Sequence, residues 1–447
     1  MVKKYLLIFV FIFISCGTDY YYSSFNIKKD LQWMVSPKDQ VNMNKYTAIA
    51  NASKFNQYTS PGIVATPANY VLAVYENRSK PTSDIIGLDN NINGTTIDII
   101  ASISTTTDNF QIDRTVGGGA ISSSDSHASP IVFVNRDGNV VVLAVGGVGF
   151  GDGGATDVSK ISLSISSNNG NTWSDWKDLP QEIFSDLSNK GYDRYYTTPG
   201  TGTVLGNGTL ACTIEYRSSK NGDKNTPAGS AILYSTDNGE NWQIGGTLTY
   251  SGAKSHRFAR IIAERRDGKL LIAAVKNTDN DYNSKGALAW YLADNINGTI
   301  NSFTANGLPE NNGGTVSGGR IKYTYDGKSR DGILLLHSGP KRQYFNPNPA
   351  PGTYIDIENP MAFSISDDEG ANWRLVTNLV GNIGIDRAYF KQSMVIFKDG
   401  TIGAAIEESL GPTINPASGS NLIFFSIIFR RVSLHSLSGG EYTYEGL

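Results

Sequence analysis

Three runs of the chain hold a hydroxyl, an acidic or amide group, a glycine and a tryptophan at one fixed spacing. They are Ser166-Ser-Asn168-Asn-Gly170-Asn-Thr172-Trp173, Ser235-Thr-Asp237-Asn-Gly239-Glu-Asn-Trp242 and Ser366-Asp-Asp368-Glu-Gly370-Ala-Asn-Trp373. Side-chain oxygens on short loops can bind hard cations, but three such groups this far apart do not make one metal site. The residue types instead describe a hairpin corner. Asn168, Asp237 and Asp368 can hydrogen-bond backbone two residues on, the glycines can supply a positive φ, and each tryptophan can bury a large ring against a neighbouring sheet. Gly149-Phe-Gly151-Asp-Gly-Gly154 matches the phosphate-binding G-x-G-x-x-G pattern, yet that chemistry needs a helix to follow, and Lys160 onward alternates as a strand. His127, His256, His337 and His435 show no metal-ligand spacing, and no cofactor is implied.

The elements that carry these corners follow from their spacing. Ser166 and Ser235 are 69 residues apart, and Ser235 and Ser366 are 131 apart, close to two such steps. Worn copies fit the gaps at Ala293-Asp294-Asn295-Ile-Asn297-Gly298, after Trp290, and at Ser104-Thr-Thr-Thr-Asp108-Asn109-Phe110. A period of about 60–70 residues suits one four-stranded sheet with its loops. Copies near 104, 166, 235, 293 and 366 make five units, and the segment from Tyr389 to the C-terminus makes a sixth. The expected fold is all-β, a six-bladed β-propeller of four-stranded antiparallel sheets over residues 46–447. Composition agrees: 48 Gly and 23 Tyr, strands such as Ile161–Ile165 and Asn139–Leu143, and turns at Asp137-Gly138, Asn207-Gly208, Asp267-Gly268 and Asp399-Gly400. A formal net charge of −3 gives no reason to expect nucleic acid as a partner.

The N-terminus reads as a targeting segment. Lys3 and Lys4 precede the apolar run Tyr5 to Ile14, which is too short to span a bilayer. With Phe13-Ile14-Ser15-Cys16 after it, the segment resembles a bacterial lipoprotein signal. That resemblance implies a signal peptide over 1–15, acylation of Cys16, a polar tether over 16–45, and a lipid-anchored protein of the bacterial cell envelope facing the periplasm or the outside. An ordinary secretory signal is the alternative. Cys212 then remains alone in the strand Leu210-Ala-Cys-Thr-Ile214, so no intrachain disulfide is expected.

Taken together, the corners and the first and last blades resemble the sialidase family, six-bladed propellers with such "Asp boxes" at their outer turns. The likeness runs from about Tyr58 to Glu407 and rests on Tyr58-Thr-Ser-Pro61-Gly-Ile-Val-Ala-Thr-Pro67, on Val71-Leu-Ala-Val-Tyr-Glu-Asn-Arg78 with Asp84 beyond it, and on Ala388-Tyr389 through Gly400 to Glu407. The resemblance implies a retaining exo-α-sialidase acting on terminal sialic acids of glycans. Asp84 would be the acid/base, Tyr389 the nucleophile, Glu407 a supporting glutamate and Arg78 a substrate ligand. A tyrosine suits an anomeric carbon that bears a carboxylate, because a charged nucleophile would be repelled there. Arginines suit that carboxylate because a guanidinium grips it with two parallel bonds.

The chain departs from the family pattern where the grip is built. The arginine of the family's Arg-Ile-Pro strand falls on Thr59, the third family arginine near Glu358, and the second near Val275-Lys276. The glutamate that assists the nucleophile falls near Ala259. Counting back from Gly400 without a gap lands on Lys391, so Tyr389 requires a bulge. Arg257, Arg260, Arg342 and Arg387 are the candidate replacements for the arginines, and Glu264 for the glutamate. Two further readings stay open: a propeller that binds glycans or a surface partner without turnover, and a glycosidase for an uncharged sugar.

Overall fold

Apolar runs such as Val140–Val145 and Leu270–Val275 are hydrophobic at every position rather than at alternate ones, because each lies in a strand covered on both faces. In Val140–Gly147, Val140, Val142 and Ala144 pack with Val64, Leu72 and Ile99, whereas Val141, Leu143 and Val145 pack with Leu210, Cys212 and Leu233. Leu271 and Ala273 likewise face Ile333 and Leu335, while Leu270 and Ile272 face Ala211 and Ile232. The period of two is kept, but both faces meet a neighbouring sheet. The expected strand Asn139–Leu143 is therefore buried from Val140 onward.

The computed structural model describes residues 46–51, 56–79, 96–104, 108–151, 157–220, 226–250, 256–276, 288–308, 314–338, 342–345, 354–357, 361–379, 389–414 and 421–446. These lie in the unit Val41–Leu447. Six antiparallel sheets form a six-bladed β-propeller. Their inner strands are Gln57–Ala65, Ala128–Val134, Arg194–Thr197, His256–Glu264, Ser317–Tyr325 and Tyr389–Ile396, in blades 1 to 6. Six hydrophobic clusters fill the seams, the last joining Ile63, Ala73 and Tyr75 of blade 1 to Ala405, Ile427 and Phe429 of blade 6.

Blade 6 differs from the expected count. The segment after Tyr389 supplies only three of its strands; the fourth is Thr47–Ala50, paired with Asn421–Ser433. The last strand, Tyr442–Gly446, leaves blade 6 and adds to Ser317–Tyr325 of blade 5. Gly439 and Gly440, both at positive φ, turn the chain there, and Tyr442 stacks on Tyr325 at 4.7 Å.

The three tryptophan corners share one geometry. In each, the serine hydroxyl donates to the Asn/Asp oxygen and accepts the glycine N–H at 2.9 Å, and the tryptophan Nε1 donates to the glycine carbonyl. Asn169 and Gly170, Asn238 and Gly239, and Glu369 and Gly370 all have positive φ, as both centres of a type I′ turn require. Each corner also docks on the second strand of the preceding blade. A Cβ on Gly170 would lie 2.1 Å from Leu72 Cδ1 and one on Gly370 2.5 Å from Leu271 Cδ2, against 3.2 Å from Val141 for Gly239. All three glycines share the backbone penalty, so Gly170→Ala should lose about 1–3 kcal/mol more stability than Gly239→Ala, the overpacking contribution alone. Urea unfolding of the two variants measures the difference. The worn copy Asp294–Gly298 occupies the same corner of blade 4, after Leu288–Ala293.

The axis is closed by the segment around Gly200. Gly200–Thr201 leaves blade 3 to pair in parallel with Ile131–Val132 of blade 2. Thr201 Oγ1 accepts from Ile63 N at 3.1 Å, and Thr201 N donates to Ser393 Oγ at 2.9 Å, which ties in blades 1 and 6. Thr203 donates to Ile261 O of blade 4 at 3.2 Å. Beside Gly200, the buried Arg260 donates from Nη1 to Val316 O at 2.8 Å and to Gln392 O at 3.0 Å, joining blade 4 to blades 5 and 6. Arg260 was a candidate for the missing arginines; it is instead an axial staple, and burial pulls its pKa down to about 9.

Candidate functional site

Strand pairing brings the starts of the inner strands to one rim with the ends of the second strands in blades 1 and 4, where Gln57 pairs with Arg78 and His256 with Lys276, and in blade 6 with the middle of the longer second strand Thr401–Ile414, where Tyr389 pairs with Glu408. Near this rim the inner strands of blades 1, 2, 4 and 6 are each interrupted by a bulge. Ser60, Ser129 and Phe258 sit in the left-handed region at three of them, with φ of 61°, 55° and 54°. Bulges re-aim side chains and expose successive backbone N–H groups.

A buried carboxylate from the preceding blade fills two of these bulges. Glu76 Oε1 accepts from Ser129 N at 2.8 Å, and its other oxygen meets Arg78 Nε at 2.7 Å and Nη2 at 2.5 Å. Glu215 Oε1 accepts from Ala259 N at 3.3 Å, with the Phe258 amide beside it. The two glutamates are equivalent, in Glu76-Asn77-Arg78 and Glu215-Tyr216-Arg217 at the ends of second strands. Their arginines part company. Arg217 donates to Phe150 O, Gly151 O and Ser218 O, fixing the loop that carries the first glycines of the G-x-G-x-x-G run. Burial pushes the Glu215 carboxyl up to about 7, against the pull of the nearby Arg257, and its Oε2 has no hydrogen-bond partner among the described residues.

Arg78 is wholly buried in its pair with Glu76, and Arg257 is half-buried at the blade 3–blade 4 seam. Glu407 is buried in the second strand of blade 6, next to Glu408, which pairs with Arg430 at 2.8 Å. Tyr389 opens the inner strand of blade 6, and the strand holds one extra residue between Tyr389 and Gln392 relative to its partner. Arg342 opens a two-stranded hairpin, Arg342–Phe345 with Tyr354–Ile357, inserted after the same end of the second strand of blade 5. Asp84, Arg387, Glu358 and Cys16 lie outside the described residues.

Two positions singled out by counting meet in space. Lys391, where the tyrosine was counted, is buried, and its Nζ donates to Thr59 Oγ1 at 3.0 Å and Ser60 Oγ at 3.2 Å. An ammonium from blade 6 thus stands beside the residue that replaces the arginine of blade 1. Glu264 is corrected as a candidate. It pairs with Leu270 at the far end of its strand and accepts from Gly206 N at 2.7 Å, away from the rim that holds Tyr389. The carboxylate against Ala259 is Glu215, which the sequence reading passed over. Its signal was an acidic residue in a strand, Leu210–Arg217, whose other positions read as core.

The four histidines have ordinary partners or face solvent. His337 is buried between Ser338 O and Ser364 Oγ, and burial lowers its pKa to about 4; His127 stacks on Trp176 at 4.4 Å. Among the described residues no group of three His, Cys, Asp or Glu side chains could hold a metal.

A protein-family model described as a BNR repeat-like domain matches residues 60–288. A sialidase of Clostridium perfringens is 25% identical over 198 residues, 42% of this chain and 47% of its own length. A sialidase of Paraclostridium sordellii is 25% identical over 195 residues, 42% of this chain and 44% of its own. The match thus spans about half the length of these relatives. Among solved structures, the Hadza microbial sialidase Hz136 superposes with a TM-score of 0.60 at 19% identity, covering 88% of this chain and 69% of that one. The intramolecular trans-sialidase from Ruminococcus gnavus, in complex with oseltamivir carboxylate, gives 0.60 at 13%, covering 90% and 99%. At such identities these structures speak for the fold.

Proposed function

The chain belongs to the BNR repeat-like domain family, and from that membership we propose that it is a sialidase-like glycosidase that removes terminal sialic acids from glycoconjugates by a retaining mechanism. The observation that supports it best is the single rim on which the pairing sets Tyr389, Arg257, the end of the Arg78 strand and the stretch of the blade 6 second strand at Glu407 and Glu408. In the proposed reaction the Tyr389 hydroxyl passes its proton to solvent, to be regained when the phenolate leaves, as its oxygen bonds to the anomeric carbon and the glycosidic bond breaks, and Asp84 gives its own proton to the departing oxygen. Asp84 then takes a proton from water, whose oxygen displaces the tyrosine and frees the sugar. Arg257, with Arg342 and Arg387, would grip the sugar carboxylate. An acyl chain on Cys16 would hold this activity at the bacterial cell envelope.

A second reading, binding without turnover, is favoured by one observation: two of the cations nearest the family's arginine positions, Arg78 and Lys391, are buried and engaged by Glu76, Thr59 and Ser60. Turnover decides between the two. The purified chain should release free sialic acid from sialyl-lactose, and Asp84→Ala should lower kcat about a hundredfold. Capture of sialylated glycans with no product released across pH 4–8 would sink the glycosidase and leave the binding reading.

A further inference from the structure

We propose that the propeller axis binds a halide ion, chloride under ordinary conditions, on the Nε and Nη2 edge of the Arg260 guanidinium. That edge presents two parallel N–H groups, the arrangement with which a guanidinium grips an anion. Nη1 is already committed, donating to Val316 O at 2.8 Å and to Gln392 O at 3.0 Å. Nε and Nη2 have no hydrogen-bond partner among the described residues, and neither is open to solvent. Arg260 as a whole is 5% exposed. Donors this deeply buried are almost always answered.

The fold fixes this group from several blades. Arg260 ends the bulge in the inner strand of blade 4, and its Nη1 ties it to blades 5 and 6. Gly200 packs against the planar group so closely that a Cβ there would lie 2.2 Å from Nη2 and 2.5 Å from Cζ. The other buried guanidiniums show what the edge lacks. Arg78 turns the same two nitrogens, Nε at 2.7 Å and Nη2 at 2.5 Å, to the Glu76 carboxylate. Arg430 meets Glu408 at 2.8 Å, and Arg194 meets Asp193 at 3.3 Å. Among the described residues no carboxylate pairs with Arg260. Burial pulls its pKa down, and the neighbour that acts against this is the phenol of Tyr196.

The ligand class follows from what the edge needs. A water molecule there accepts from the two donors but leaves the buried charge unanswered, whereas an anion answers both. An oxyanion would bring further oxygens that need donors of their own in a closed space; a single-atom anion is satisfied by the edge it sits on. The sugar of a glycan cannot enter, because the two nitrogens are closed off from solvent. The ion is thus a structural ligand of the axis, separate from any substrate, and the proposal stands whether or not the chain turns over a sialoside.

Thermal melts of the full chain at fixed ionic strength test it, with sodium chloride replacing sodium gluconate, whose anion is too large for a closed site. Chloride at about a hundredfold excess over its Kd should raise the wild-type Tm by about 3 °C relative to gluconate. Arg260→Met should lose that rise, since the two salts then act only through bulk solvent. A chloride-minus-gluconate difference that is no larger in wild type than in Arg260→Met overturns the proposal. Should Arg260→Met fail to fold, crystals of the wild-type chain grown in sodium bromide decide alone. An anomalous peak in contact with Nε and Nη2 supports the site; a water there, or no density, overturns it.

Discussion

Replacing Arg260 by alanine should destabilise the chain by about 2–5 kcal/mol, through two lost charge-assisted hydrogen bonds and the cavity left behind. The guanidinium is the point where blade 4 reaches blades 5 and 6, through Val316 O and Gln392 O. Thr315 and Gln392 beside them are buried, and the Gln392 N–H and side-chain amide are themselves paired with Thr315 at 2.9 Å or closer. Some loss is offset because burying an unmatched cation is unfavourable, the cause of its lowered pKa. Arg260→Met separates these contributions: it fills the space and removes the charge, but it also removes both donated hydrogen bonds, leaving Gln392 O only the Thr315 hydroxyl at 3.3 Å. If Arg260→Met is as stable as wild type in urea, the staple contributes nothing and the axis is held by packing. Gly200→Ala attacks the same point from the other side, since a Cβ there would lie 2.2 Å from Arg260 Nη2.

How much of this was legible without coordinates depends on the range of the interaction. The corner glycines were readable because Asp/Asn, Gly and Trp interact within eight residues, and their hydrogen bonds close inside the turn. The residue before each glycine was not. Asn169 and Asn238 tolerate the left-handed region, but Glu369 does not, and it is held there by Arg320 at 2.9 Å and by the backbone of Arg266, both distant in sequence. Thr59 and Lys391 were each found by counting; that they touch depends on ring closure across 332 residues. The first strand, Thr47–Ala50, carries no turn or corner signal, so its place in blade 6 follows only from the unpaired edge of Asn421–Ser433. Glu215 was invisible for the same reason that makes it informative. A buried acid in an apolar strand looks like an error until the amides of the next blade are in view.

Arg78→Ala should cost about 3–5 kcal/mol of stability, because it strands the buried carboxylate of Glu76. The resemblance cast Arg78 as a substrate ligand, and the two roles make opposite predictions. A ligand arginine at a pocket wall can be removed with little effect on folding and a large effect on KM. An arginine that neutralises Glu76, with side-chain exposure of 0% for both partners, does the reverse. The companion variant Glu76→Gln isolates the pair. Glutamine keeps an acceptor for Ser129 N but no longer needs a cation, so Arg78→Met combined with Glu76→Gln should be more stable than Arg78→Met alone, and the cycle gives the coupling directly. If the double variant is as unstable as the sum of its parts while KM rises, Arg78 reaches the sugar after all. If stability recovers and KM stays put, the grip on an anionic ligand falls to cations that are not buried, and half-buried Arg257 on the blade 4 inner strand becomes the first whose loss must be felt.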